Sequence, residues 1–392
     1  MNVVGIIAEY NPFHLGHAFH LAQARRMTGA HYVIAVMSGN YVQRGVPAMF
    51  DKYTRARAAL QNGADLVLEL PPGTATGSAE YFAAGAVRIL ADTKVVTDLC
   101  FGSESADTES LRHCARILAE EPDAYRRLLK EFLRAGTPWP KARMLALQQY
   151  DPSISLKILQ SPNDLLGIEY LKALQRIKSP LRVHAVKRAG APYHERRITA
   201  ECFSSASGIR QELLKNRGTF TPDILKQLPS SELYLPYHGQ LPITEDAFSL
   251  LLIERLIRNP EEDLSLYFDV TKELSNRIRN CENHFMSFTQ FTDLLKTRNL
   301  TRTSVSRALL HILLGIQKYE ACTVLRVLGF RKKAAPLLKE ITLQSRTPLV
   351  TSAHDGSLSA DWLYADRLYE HVRSLLHSQP FQNECQRKML VI

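Results

Sequence analysis

Two hydrophobic rhythms alternate along roughly the first 220 residues of the chain. Short, almost continuously apolar runs fall at Val3 to Ala8, Tyr32 to Met37, Asp65 to Glu69, Val96 to Phe101 and Leu181 to Lys187, the pattern of strands covered on both faces. Between them, Ala18 to Met27, Lys52 to Asn62, Ala79 to Ala91, Glu109 to Glu120 and Asp164 to Ile177 repeat apolar residues every three or four positions, as amphipathic helices do. Strand and helix in turn predict an α/β fold with a doubly wound parallel sheet, Rossmann-like in layout. In such a sheet a ligand sits beyond the carboxyl ends of the strands, near the point where strand order reverses.

From about Leu225 the strand signals stop and helical spacing takes over, for example in Glu245 to Arg258, Leu274 to Cys281 and Ser304 to Ile316. Two domains are expected, an α/β domain over 1–225 and a mainly helical one over 226–392, with Pro229, Pro236 and Pro242 read as a linker. Composition agrees with a globular chain: 45% of the 392 residues are hydrophobic and 22% charged. The apolar stretch Ala308 to Ile316 is interrupted by His311 and Gly315 and falls short of the ~20 residues a membrane span needs. Met1-Asn2 runs straight into an apolar strand without a basic leader, so a cytoplasmic protein is expected. Cys100, Cys114, Cys202, Cys281, Cys322 and Cys385 contain no Cys-x-x-Cys pair and read as free thiols, with no bound metal. The net charge of +10 favours a polyanionic partner, though it equally suits a solubilising surface.

The densest chemistry follows the first strand, where Glu9-Tyr10-Asn11-Pro12-Phe13-His14-Leu15-Gly16-His17 runs into a helix beginning near Ala18. A turn that feeds a helix amino terminus there presents free N–H groups and a positive dipole end, to which a triphosphate docks. Gly16 lets backbone approach closely, and the imidazoles of His14 and His17 can donate hydrogen bonds to phosphate oxygens as charge builds during attack at the α-phosphorus. His20 stands one turn further on. Plain turn and capping duty is the bland alternative, and the position on strand one of a parallel sheet favours the nucleotide site.

Other candidates end other strands. Gly102 would let an adenine or ribose lie against backbone, Asn163 opens a helix, and Arg188 follows strand five where it could hold phosphate; each has an ordinary counterpart as a turn glycine, a cap or a solvated strand end. In Ser204-Ser205-Ala206-Ser207-Gly208-Ile209-Arg210, the residues Ser205, Ser207 and Arg210 form a candidate phosphate loop or an N-capped helix with an exposed arginine. Asn40, Gln43, Arg44, Lys52 and Arg55 follow strand two and are candidates for the second substrate, or a solvated face. Lys296, Arg298, Arg302 and Arg307 are four bases in twelve residues without an acid, interleaved with hydroxyls as a phosphodiester surface would be, or again a solvated face.

Taken together, the stretches Val4 to His20, Met37-Ser38-Gly39-Asn40, Leu68-Glu69-Leu70-Pro71, Pro162-Asn163-Asp164 and Thr301-Arg302-Thr303 resemble the bacterial tRNA(Met) cytidine acetate ligase family, within the wider nucleotidylyltransferase superfamily. The resemblance runs nearly end to end. It implies that ATP and acetate form acetyl-adenylate and pyrophosphate, and that the acetyl group passes to the wobble cytidine of elongator tRNA(Met). Magnesium would arrive with the ATP. Catalysis would rest on His14 and His17, and ATP contacts would fall on Ile7, Ala8, Glu9, Tyr10, Asn11, Pro12, Phe13, His14, Leu15, Gly16, His17, Ala18, Phe19, His20, Gly102, Asn163 and Arg188. One departure stands out: the superfamily commonly carries Ile-Ser-Ser-Thr-x-Ile-Arg where this chain has Ser204 to Arg210.

Two other classes of function use the same residues. A nucleotidylyltransferase or an acetate ligase acting on a metabolite or a protein thiol would need no basic helical domain. An RNA-binding module with an inactive nucleotide fold would need no paired imidazoles at a phosphate socket.

Overall fold

The computed structural model describes residues 1–188, 203–319, 322–356 and 358–392; Cys202 lies outside the described residues. The N-terminal half builds β1 (Val3–Ala8), α1 (Leu15–Thr28), β2 (Tyr32–Ser38), α2 (Lys52–Gln61), β3 (Leu66–Leu70), α3 (Ala79–Asp92), β4 (Asp98–Ser103), α4 (Thr108–Glu120), α5 (Pro162–Arg176), β5 (Arg182–Lys187) and α6 (Ala206–Lys215). These five strands pair in parallel in the order β3-β2-β1-β4-β5, so the order reverses between β1 and β4. Two apolar clusters clothe the sheet's faces, and Val4 and Ile6 point into one while Val3 and Ile7 point into the other.

The C-terminal half departs from the expectation that strands end near residue 225. It supplies β6 (Leu325–Phe330), β7 (Leu349–Val350) and β8 (Leu390–Val391) to the same eight-stranded sheet, besides α7 (Arg302–Leu314) and α8 (Ala360–Leu376). β6 lies antiparallel on β3, with a register shift at Val67/Leu68. Its sequence, LRVLGF, hides the strand because an arginine interrupts the apolar run. Arg326 is nevertheless fully buried, bonded through Nη2 to Glu384 at 3.1 Å. The reading of Pro229, Pro236 and Pro242 as a linker is corrected too: Leu228 and Tyr234 belong to the core beside α6, and the Tyr237 hydroxyl donates to Asp51 at 2.5 Å.

A helical layer with its own core closes over the loop that follows β2. Its buried residues come from 249–258, 272–281, 288–295, α7 and α8, and Tyr41 of the loop is among them. The loop is gripped at several points. Tyr41 donates its hydroxyl to Ala365 O at 3.2 Å, Asn40 Nδ2 to Asp366 Oδ1 at 2.9 Å, and Ser306 Oγ to Gly45 O at 2.9 Å. Gly45, at φ 72°, must be glycine, since a Cβ there would lie 2.4 Å from Arg307 N.

Candidate active site

α1 begins where β1 ends, and the two histidines start it. His14 is the N-cap: its Nδ1 accepts the Gly16 N–H at 3.1 Å, while His17 Nδ1 accepts the His14 N–H at 3.3 Å, a reciprocal capping box built from imidazoles. Gly29 at φ 59° closes the helix, and Arg25 and Arg26 suit its negative end. Because each Nδ1 accepts a backbone proton, the neutral rings carry their own proton on Nε2. The rings lie 3.8 Å apart between centroids, and Tyr10 packs edge-on against His17. A Cβ on Gly16 would stand 2.8 Å from His14 Cε1, so the glycine makes room for the ring as well as for a ligand.

Burial, helped by neighbouring cations, keeps these rings neutral. Burial first, and then the guanidiniums of Arg188 and Arg210, push His14 down to about 3. His17 falls well below its ordinary value through burial and the neighbouring His14, Arg188 and His20, and burial with Arg188 takes His20 down to about 4. His20 also lies with Nε2 3.8 Å from the buried Cys100 thiol, which its burial pushes up to about 12.

These residues open onto a cavity of about 460 Å³ beyond the carboxyl ends of β1, β4 and β5, at the reversal of strand order. Of the candidates read from sequence, Ile7, Ala8, Glu9, Tyr10, Asn11, His14, Gly16, His17, Phe19, His20, Gly102, Asn163 and Arg188 line it, as do Ser205, Ser207 and Arg210. Pro12, Phe13, Leu15 and Ala18 do not; Phe13 is fully buried in the core behind the turn. Gly102 faces open space, because a Cβ there would meet only Arg188 Cγ, at an ordinary 3.6 Å. Asn163 is not the helix cap. It sits in the first turn of α5, whose amino end is held by Glu104, which accepts from Asn163 Nδ2 at 2.6 Å, Asn163 N at 3.1 Å and Asp164 N at 3.0 Å. Arg210 reaches back to donate to Asn11 O at 2.5 Å, tying the start of α6 to the turn after β1. Ser204, not singled out from sequence, is buried and lines the same cavity, and its hydroxyl has no partner among the described residues.

The residues after β2 divide. Gln43 and Arg44 line the cavity. Asn40, Lys52 and Arg55 are buried and work inside the protein. Arg55 donates to the carbonyls of Glu9, Ser38, Gly39 and Phe50, so it sets the two loops at the cavity mouth. Lys52 Nζ contacts Glu69 at 2.9 Å, Asp366 at 2.5 Å and Glu384 at 3.0 Å. Its ammonium fills the centre of the one trio of clustered carboxylates found among the described residues. Three carboxylates face two cations there, Lys52 and Arg326; burial first, and then the neighbouring Glu69 and Glu384, push Asp366 up to about 8 against the pull of Lys52.

The basic run in the helical layer is less free than its sequence implied. Arg307 pairs with Asp269 at 2.8 Å, and the half-exposed Arg302 pairs with Asp293 at 3.0 Å; Lys296 and Arg298 are exposed.

With this geometry established, relatives are informative. The family model described as HIGH Nucleotidyl Transferase matches residues 1–388. A tRNA(Met) cytidine acetate ligase of Acetivibrio thermocellus is 38% identical over 99% of this chain and 97% of its own length, and one of Halothermothrix orenii is 36% identical over 100% and 99%. The chain belongs to the tRNA(Met) cytidine acetate ligase family. Its fold agrees: crystal structures of Thermotoga maritima TmcAL, one apo and one bound with alpha-thio ATP, superpose with TM-scores of 0.89 and 0.87 at 30% and 29% identity, covering all of both chains. Among the described residues no helix is long and apolar enough to cross a membrane. The five described cysteines are free thiols.

Proposed function

We propose that this protein joins acetate to ATP as acetyl-adenylate, releasing pyrophosphate, and then passes the acetyl group to the wobble cytidine amine of elongator tRNA(Met), in the cytoplasm. The observation that carries the reading is the pair of neutral imidazoles at the start of α1. Each Nδ1 is used by the backbone, and neither Nε2 has a partner among the described residues, leaving two N–H donors at the mouth of a nucleotide-sized cavity.

As an acetate oxygen forms its bond to the α-phosphorus, the bond to the pyrophosphate oxygen breaks, and negative charge grows on the phosphoryl oxygens. Fixed N–H donors stabilise that charge without losing a proton, and alignment of the two reactants supplies ~7–11 kcal/mol more. Arg188, Arg210, Ser205 and Ser207 are suited to the polyphosphate, as is the Ser204 hydroxyl, unpartnered among the described residues, and Gly102 with Asn163 to the nucleoside. Gln43 and Arg44 face the same cavity from the β2 loop and suit the acetate side. In the second step the cytidine amine attacks the acetyl carbonyl and AMP leaves. Glu9, the one acid among the described residues that line the cavity, already accepts the Gln43 N–H, and Glu104 beside it is used by the amino end of α5, so magnesium is assigned to the ATP that carries it rather than to a protein site. The 226–392 half, with Lys296 and Arg298 and the ion-paired Arg302 and Arg307, is assigned to the tRNA.

The test is incubation with ATP, labelled acetate and a tRNA pool, followed by nucleoside identification, with each component omitted in turn. Label in acetylcytidine that needs all three components is expected. Label on a protein or a small metabolite, with none in RNA, would overturn the reading.

A further inference from the structure

The chain has two tryptophans and they lie in opposite settings: Trp362 is buried, whereas Trp139 is 51% exposed. Trp139 opens the helix Trp139–Tyr150, the second arm of a helical hairpin whose first arm is Asp123–Arg134, inserted between β4 and β5. The first arm turns Tyr125, Leu128, Leu129 and Phe132 onto the core. Arg127, Lys130 and Arg134, spaced at three and four residues, form a stripe on its exposed side. From 123 to 160 there are seven Lys and Arg against three Asp and Glu. Arg127, Lys130, Arg134 and Lys141 are exposed with no ion-pair partner among the described residues. This patch is freer for phosphate than the Arg302 and Arg307 pairings allow in the helical layer.

Arg143 covers one face of the Trp139 ring at 5.4 Å from its centroid and pairs with Glu169 of α5. The platform is thereby fixed to the helix whose first turn lines the nucleotide cavity, roughly 9 Å of helix separating Asn163 from Glu169. An exposed indole leaves apolar area in water that a flat partner can cover, and indoles beside cations are where unpaired bases stack. We infer that Trp139, backed by Arg143, is a stacking platform for an unpaired base of an RNA loop, whose phosphates run along Arg127, Lys130, Arg134 and Lys141. The inference rests on the RNA-modifying reading and adds to it a second contact surface, on the nucleotide-binding half.

The experiment compares the whole protein with Trp139→Ala, Trp139→Phe and the double change Arg127→Glu with Lys130→Glu. The probes are a stem–loop RNA with an unpaired loop, a fully paired duplex of equal length, and vesicles of phosphatidylglycerol. Trp139→Ala should weaken stem–loop binding about tenfold, Trp139→Phe should recover most of it, and duplex affinity and acetate-dependent ATP–pyrophosphate exchange should not change. The charge reversal should weaken both RNAs and flatten the salt dependence of their binding. Should Trp139→Ala fail to fold, the unsubstituted protein still answers: stem–loop addition should quench emission that is missing from Trp139→Phe. Wild-type stem–loop affinity in Trp139→Ala, or no such quenching, overturns the platform, as does Trp139-dependent binding to vesicles alone. Loss of acetylcytidine formation in the unsubstituted protein with stem–loop quenching intact would instead count against the ligase reading.

Discussion

Replacing Gly16 with alanine tests whether the histidine pair works through its placement. The added Cβ would stand 2.8 Å from His14 Cε1 and 3.1 Å from Nδ1, so the ring must yield. The ring is buried, lies tilted against His17 with the centroids 3.8 Å apart, and accepts at 3.1 Å from the very N–H of residue 16. Two stability effects oppose each other. Loss of the side-chain cap costs about 1 kcal/mol, while alanine in place of glycine inside a helix gains about 0.5–1 kcal/mol. The melting temperature should therefore move by only a few degrees in either direction. Catalysis has no such offset, because a donor displaced by about an ångström costs on the order of 10²-fold in rate, or about 2.7 kcal/mol of barrier. Acetate-dependent exchange of labelled pyrophosphate into ATP reads the first step without tRNA. A folded Gly16→Ala protein that exchanges at the wild-type rate would refute the claim that the position of the His14 ring matters.

Other outcomes follow from the same structure. Gly102→Ala meets nothing but Arg188 Cγ at 3.6 Å, so melting should be unchanged while the KM for ATP rises severalfold; an unaltered KM would place the nucleoside elsewhere. His14 and His20 titrate near 3 and 4 in the folded protein against about 6.5 when exposed, so the unfolded chain takes up protons these rings refuse, and stability is lost as pH falls from about 6.5 towards 4. His14→Gln removes one of these groups, and its unfolding free energy relative to wild type should improve over that interval; a pH-independent difference would mean that the ring titrates normally. Lys52→Met strips the cation from three clustered carboxylates and should cost about 3–5 kcal/mol in urea unfolding, a loss below about 1 kcal/mol being inconsistent with the network.

What the sequence revealed divides by range along the chain. β1 to β5 and α1 to α5 were legible because each is encoded in its own dozen residues, whereas the helices Asp123–Arg134 and Trp139–Tyr150 went unread; the imidazole pair was legible because its junction with β1 and α1 is local too. β6 was not, since what makes Arg326 acceptable in a buried strand is Glu384, near the end of the chain. Lys52 read as a second-substrate candidate or a solvated face for the same reason, its partner Asp366 standing 314 residues away. Arg302 and Arg307 looked available for RNA because Asp293 and Asp269 sit outside the twelve-residue window. Trp139 went unremarked, as sequence pattern does not tell an exposed tryptophan from a core one.

These long-range contacts converge on one loop. Residues 38–47 carry Gln43 and Arg44 to the cavity; Glu9 and Arg55 hold this loop from the N-terminal half, while Ala365, Asp366 and Ser306 grip Tyr41, Asn40 and Gly45 from the C-terminal half. The nucleotide end of the cavity is built by the N-terminal half, whereas the end facing the β2 loop depends on α7 and α8. A substitution such as Asp366→Ala, remote in sequence from every cavity residue, should therefore raise the KM for acetate in pyrophosphate exchange more than the KM for ATP. Equal changes in the two would mean that the C-terminal half steadies the fold as a whole without shaping that end of the site.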